Sequence, residues 1–177
     1  MTNHYDLVVV GAGPAGESAA QMAANLGYSV ALVERDTVGG TVVTSGGAPT
    51  KTFREAALYL TGFEKESIYG IALTARPEVR YTTLTTRAHA VSAAMQQATL
   101  NRLQTFGVQL VSGSARLEDG HTVLVRSATG EETRLHGERI VLATGSRPLR
   151  PASVPFEDPW VFDSEEIMEI SGRPETS

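Results

Sequence analysis

The chain has 177 residues, 41% hydrophobic and 20% charged, with no cysteine. A length near one typical domain with ordinary globular usage excludes disordered, collagenous and low-complexity classes, and the absent cysteines exclude disulfides, thiolate nucleophiles, Cys-based zinc sites and iron–sulfur clusters. The net charge of −5 is uneven: residues 1–150 carry +1, and residues 151–177 carry −6, seven acids against Arg173.

No basic stripe suits nucleic acid, and no apolar run approaches the roughly 20 residues of a membrane helix. The first residues lead straight into a strand with no secretory pattern, so a cytoplasmic protein is expected. Residues 5–10 are an apolar, β-branched run of the kind found in buried parallel strands. Gly11-Ala12-Gly13-Pro14-Ala15-Gly16 follows. A helix then runs to Leu26, with an apolar stripe at 15, 19, 22, 23 and 26, and stops at Gly27. Residues 29–33 form a second strand, ending at Glu34. Strand, helix and strand together make a crossover unit of a parallel sheet.

Residues 38–49 read as a glycine-rich loop and about 50–60 as a helix. Residues 64–81 have no clear period and read as loop. Apolar positions 84, 88, 91, 95, 98 and 103 predict a long amphipathic helix over 82–106, closed by Gly107. Residues 108–112 read as a strand. Three short strands, 114–118, 122–127 and 132–136, are separated by Asp119-Gly120 and Thr129-Gly130, the pattern of an antiparallel meander. A separate buried strand, 138–143, ends in Thr144-Gly145. The fold class is therefore α/β: a Rossmann-type domain whose parallel sheet and helices carry a β-meander insertion.

The glycine motif carries the chemistry. Gly11 allows the tight turn, Gly13 lets a pyrophosphate approach the backbone, and Gly16 lets helix and strand pack closely. Pro14 and Ala15 open a helix whose free N–H groups and positive end attract phosphate. Glu34 lies 23 residues after Gly11. A carboxylate there accepts both hydroxyls of an adenosine ribose and repels a 2′-phosphate. By itself Glu34-Arg35-Asp36 also reads as a solvated strand end; the glycine motif before it favours the ribose role. His4, His89, His121 and His136 read as scattered surface or packing residues without metal-ligand spacing, and no metal is expected. Trp160, Phe156 and Phe162 read as packing against the sheet, and the acidic run 163–169 as a solvated face.

Residues 39–51, Gly-Gly-Thr-Val-Val-Thr-Ser-Gly-Gly-Ala-Pro-Thr-Lys, bring a resemblance into view. The chain resembles the N-terminal FAD-binding portion of the pyridine nucleotide–disulfide oxidoreductases, across nearly its whole length. Gly40 and Thr41 match the family's Gly-Gly-Thr, and Lys51 matches a lysine near the flavin ring. Ala115, in Gly113-Ser114-Ala115, matches a stretch touching the adenine. Ala143-Thr144-Gly145 matches the second FAD turn. With Gly11, Gly13, Pro14, Ala15, Gly16, Glu34 and Arg35 these form the cofactor set that the resemblance implies. Lys51 is the one candidate catalytic group, a cation stabilising negative charge on reduced flavin.

The family's two cysteines align with Val42 and Gly47, so dithiol chemistry is excluded at this site. The transhydrogenase branch, with hydride passing between NAD(P)H and FAD, needs no sulfur and is the best remaining analogue. The resemblance implies FAD as cofactor and NAD(P)H as substrate through a domain outside this sequence. Residues 1–150 are then the FAD-binding domain, and 151–177 an acidic connector toward an NAD(P)-binding domain. The expected partner is a second polypeptide carrying the NAD(P)-binding and dimerisation domains, in a homo- or hetero-oligomer. A non-catalytic flavin-binding or interaction module, and a truncated dihydrolipoamide dehydrogenase-like fragment, remain open.

Overall fold

A computed structural model describes residues 2–60, 70 and 81–166. In chain order the elements are β1 (Thr2–Val10), α1 (Pro14–Asn25), β2 (Val30–Glu34), α2 (Thr41–Thr44), α3 (Ala48–Leu60), α4 (Tyr81–Thr105), β3 (Gln109–Ser112), β4 (Ser114–Leu117), β5 (Thr122–Arg126) and β6 (Glu132–Leu142). The loop expected over 64–81 lies outside the described residues, apart from Gly70 and Tyr81. The chain forms two compact units: Met1–Val43 with Ala94–Arg147, and Thr44–Ala93 with Pro148–Ser177.

The first unit contains one six-stranded mixed sheet in the order β3-β2-β1-β6-β5-β4. β1 is its central strand. It pairs in parallel with β2, Leu7 opposite Val30, and with β6, Leu7 opposite Arg139. β5 joins β6 antiparallel, and β4 joins β5 likewise. β3 and β4 stand at opposite ends of this order, yet Gly113 alone links them. The meander therefore folds back over the parallel strands. Val8, Ala31 and Val33 of the parallel layer pack with Val123, Val125 and Leu135 of the meander. The other face of the parallel strands packs Val9, Val30 and Leu32 against Ala20 of α1 and Leu103 of α4. The result is a helix layer, a parallel layer and an antiparallel layer.

Several local expectations are corrected. The segments 132–136 and 138–143 are one strand, not two. A Cβ on Gly137 would lie 2.9 Å from Val8 Cγ2 and 2.8 Å from the Arg139 carbonyl oxygen, so this glycine marks a close approach inside a strand rather than a turn. The glycine-rich stretch 38–49 is not all loop: it contains α2 and the first two residues of α3, with Pro49 in the first turn, where its missing N–H costs nothing.

The buried face of α1 is Gly16 and Ala20, with Ala23 and Ala24 beside it. Met22 and Leu26, expected in the stripe, are exposed. Small residues face the sheet because close helix–strand approach leaves no room for long side chains. In α4 the buried line passes through Ala88, Thr99 and Leu103, and Met95 and Ala98 are exposed.

Asp6 ties the start of β2 to β1. Its Oδ2 accepts the Ser29 hydroxyl at 2.6 Å and the Ser29 N–H at 2.7 Å. The Ser29 hydroxyl, then the Ser29 N–H, hold the Asp6 carboxyl below its ordinary range. A depressed native value contributes stability that is present above the unfolded value, near ~3.9, and is lost as pH falls through the native one. Asp6→Asn is therefore expected to flatten the fall in urea midpoint below about pH 4. Identical slopes for variant and wild type would refute the link.

In the second unit, Arg150 pairs with Asp163 at 2.7 Å and with Glu166 at 2.5 Å, and its guanidinium lies 5.0 Å from the Phe156 ring centre. Asp163 also accepts the backbone N–H groups of Glu165 and Glu166, and Arg150 holds its carboxyl below the usual range. The described start of the acidic run is thus an ion-paired turn rather than a purely solvated face. Trp160, expected as a packing residue, is 85% exposed.

Candidate functional site

The C-terminal ends of β1, β2, β3 and β6 meet at one end of the sheet, and the motif residues of the first unit gather there. Gly11 N–H donates to the Val33 carbonyl at 2.8 Å, and Ala143 N–H to the Val10 carbonyl at 2.8 Å. Gly39 N–H donates to the Ala12 carbonyl at 2.8 Å, and Gly113 N–H to the Glu34 carbonyl at 2.9 Å. These bonds join four segments far apart in sequence: the glycine loop, the end of β2 with the turn after it, the β3–β4 link and the end of β6.

Within the loop, two glycines are required by contact, and the third stands beside open space. Gly11 has φ +102°, and a Cβ there would fall on the Ala143 carbonyl oxygen. A Cβ on Gly16 would fall on the Gly11 carbonyl oxygen. At Gly13, by contrast, no atom lies within 4 Å of where a Cβ would stand. Gly13 is the N-cap of α1, Pro14 occupies the first turn, and no side chain caps the helix. Pro14 has no N–H, so Ala15 and Gly16 carry the uncapped donors of the first turn, beside the open space at Gly13 and with the positive end of the helix dipole behind them. That is the donor chemistry of a phosphate cradle.

Glu34 lies beside this cradle. Its Oε2 accepts the Ala12 N–H at 2.7 Å and its Oε1 accepts the Asp36 N–H at 2.9 Å. The first bond fixes the carboxylate against the glycine loop, and the second against the turn after β2. Each oxygen keeps a further lone pair for a hydroxyl donor.

The remaining predicted residues divide by position. Pro14 and Ala15 are exposed at the start of α1, and Arg35 is exposed and pairs with Asp36 at 2.8 Å. Gly40 has φ +56°, and a Cβ on it would stand 3.1 Å from Gly13 Cα, so the Gly39-Gly40 turn abuts the loop. Thr41 is exposed at the start of α2. Ala115 sits in β4 opposite Val125, with its side chain against the core between sheet layers. Thr144 and Gly145 follow Ala143 and are exposed. Lys51 belongs to the second unit, exposed in the first turn of α3. Val42 is exposed in α2, and Gly47 immediately precedes α3.

Gly39 and Gly113 lie in stretches that the resemblance singled out, though outside the cofactor set drawn from it, and their N–H bonds bring both to the site. The signal for Gly113 was available: one glycine between two strands leaves no room for a loop, and a Cβ there would lie 2.6 Å from the Arg126 carbonyl oxygen. The histidines are less scattered than expected. His4 and His136 pair across β1 and β6 with ring centres 4.8 Å apart, and His121 lies 5.8 Å from His136. Among the described residues, no group of three or more His, Cys, Asp or Glu is placed to hold a metal ion, and no helix is long and apolar enough to cross a membrane.

Parallel strands with a glycine turn, an uncapped helix start and an acid at the end of the next strand define the Rossmann type of α/β fold. The sequence pattern of the pyridine nucleotide-disulphide oxidoreductases matches residues 5–171, and the chain belongs to that family. It is 40% identical over 172 residues to the soluble pyridine nucleotide transhydrogenases of Mycobacterium bovis and Mycobacterium tuberculosis, covering 96% of this chain. It is 33% identical over 175 residues to that of Vibrio vulnificus, covering 97% of this chain. The chain spans 37% of the length of each of these relatives. Among solved structures, the Cu(II) complex of the HOCl-induced flavoprotein disulfide reductase RclA from Escherichia coli shares the fold, with a TM-score of 0.79 at 24% identity. The match covers 96% of this chain and 35% of that one.

Proposed function

We propose that this chain is the FAD-binding segment of a flavin-dependent pyridine nucleotide oxidoreductase of the transhydrogenase type. The observation carrying this reading is the open, uncapped start of α1 at Gly13, with the Glu34 carboxylate bonded to the same loop. The N–H groups of α1 would hold the pyrophosphate, and Glu34 the adenosine ribose. Bound FAD supplies hydride-transfer chemistry with NAD(P)H; the chain's own residues bind and orient it. With no cysteine in the chain, dithiol exchange is not its chemistry. This is why the transhydrogenase reading is favoured over disulfide reduction. Lys51 is proposed as the cation that favours negative charge on the flavin. The NAD(P) site and the dimer interface would come from a further domain or a second polypeptide, in a cytoplasmic assembly.

The test is the visible spectrum of the purified chain after incubation with FAD and gel filtration. A yellow protein that neither NADH nor NADPH bleaches is expected. A colourless protein would remove the flavin assignment, and bleaching by either nucleotide alone would remove the need for a further domain.

A further inference from the structure

The first turn of α1 carries an acid as well as free N–H groups. Glu17 N–H donates to the Gly13 carbonyl at 2.8 Å, so its side chain leaves the helix one turn from its start. A carboxylate there competes with a phosphate for the same positive helix end. In this chain it is drawn aside. Its side chain is only 14% exposed. Arg102 of α4 donates to Oε1 through Nε at 3.0 Å and Nη2 at 2.6 Å, and Gln21 Nε2 adds a third bond at 2.8 Å. The hydroxyl of Thr99, a residue only 3% exposed, lies 3.4 Å from Oε2 and accepts Arg102 Nη2 at 2.9 Å. Thr99 therefore anchors the guanidinium as well as touching the acid.

We propose that Arg102 is a positioning residue for the phosphates of the cofactor: by neutralising Glu17 it keeps the start of α1 attractive to a dianionic pyrophosphate. The inference rests on the FAD reading above. A purely structural role, tying α1 to α4, is the competing account, and charge separates the two. Arg102→Met leaves a bare carboxylate near the cradle. Glu17→Gln with Arg102→Met breaks the tie equally but leaves no charge.

The experiment is calorimetric titration of the full chain and its variants with FAD, ADP and adenosine. Arg102→Met is expected to bind FAD and ADP about tenfold more weakly, the order expected of one uncompensated charge across a helical turn. Adenosine, which carries no phosphate, is expected to change less than about twofold. The double variant is expected to recover FAD and ADP binding to within about twofold of wild type. A double variant as weak as Arg102→Met, or an Arg102→Met that binds like wild type, would overturn the inference and leave the FAD reading standing. Wild-type chain that binds neither FAD nor ADP would overturn both.

Discussion

Gly16→Ala is expected to lower stability by about 2–4 kcal/mol, through overpacking that cannot relax. The added methyl lands on the Gly11 carbonyl oxygen and stands 3.3 Å from Ala143 Cβ. Neither neighbour can yield freely: Gly11 is held by its bond to Val33, and Ala143 by its bond to Val10. For a chain of this length the thermal midpoint should fall by roughly 5–15 °C. Far-UV circular dichroism on heating measures this directly. A variant melting within about 2 °C of wild type would show that helix and loop can separate without cost.

Gly13→Ala should do the opposite, sparing the fold and removing the ligand. The backbone at Gly13, φ −73° and ψ 180°, suits any residue, and no atom lies within 4 Å of the new methyl. Two small terms oppose each other. Alanine restricts the unfolded chain, but it is a poorer N-cap than glycine, so net stability should move by less than about 0.5 kcal/mol. The methyl would stand in the space where a pyrophosphate approaches the helix. FAD affinity should fall about 30-fold, equivalent to losing roughly 2 kcal/mol of charge-assisted hydrogen bonding. Titration of FAD by flavin fluorescence, beside a urea melt, separates the two effects. Unchanged affinity would mean that the phosphates lie elsewhere.

These two glycines show why much of the site was legible in the sequence. Gly11, Gly13 and Gly16 sit in a short motif between a β-branched run and an amphipathic segment, and Glu34 ends the next apolar run. Local pattern places all four. The parallel layer was legible for the same reason, since β1 and β2 are apolar runs of strand length.

What local pattern cannot supply is pairing across long separations. Gly39 meets Ala12, Gly113 meets Glu34, and Arg102 meets Glu17 only once the sheet and helices have assembled. Gly137 misled because a glycine reads as a turn unless its neighbour across the sheet is known. Thr99 was passed over because a hydroxyl breaks an apolar stripe, although here Glu17 and Arg102 satisfy it. In α1 the large residues suggested the buried face, and the closeness of the sheet selected the small ones.

The central position of β1 also bears on how the chain is made. Leu7 finds Val30 soon after it is synthesised, but its other partner, Arg139, comes late in the sequence. At ordinary ribosomal speeds that is a delay on the order of ten seconds. Throughout it, one side of this central strand has no native partner, and the apolar run Leu7–Val10 is open to wrong ones. The core between the sheet layers waits longer than any helix, because Val8 needs Val123 and Leu135 to cover it. The sheet of this unit can therefore close only after β6 has been made, and until then β1 offers the nascent chain an unpaired edge.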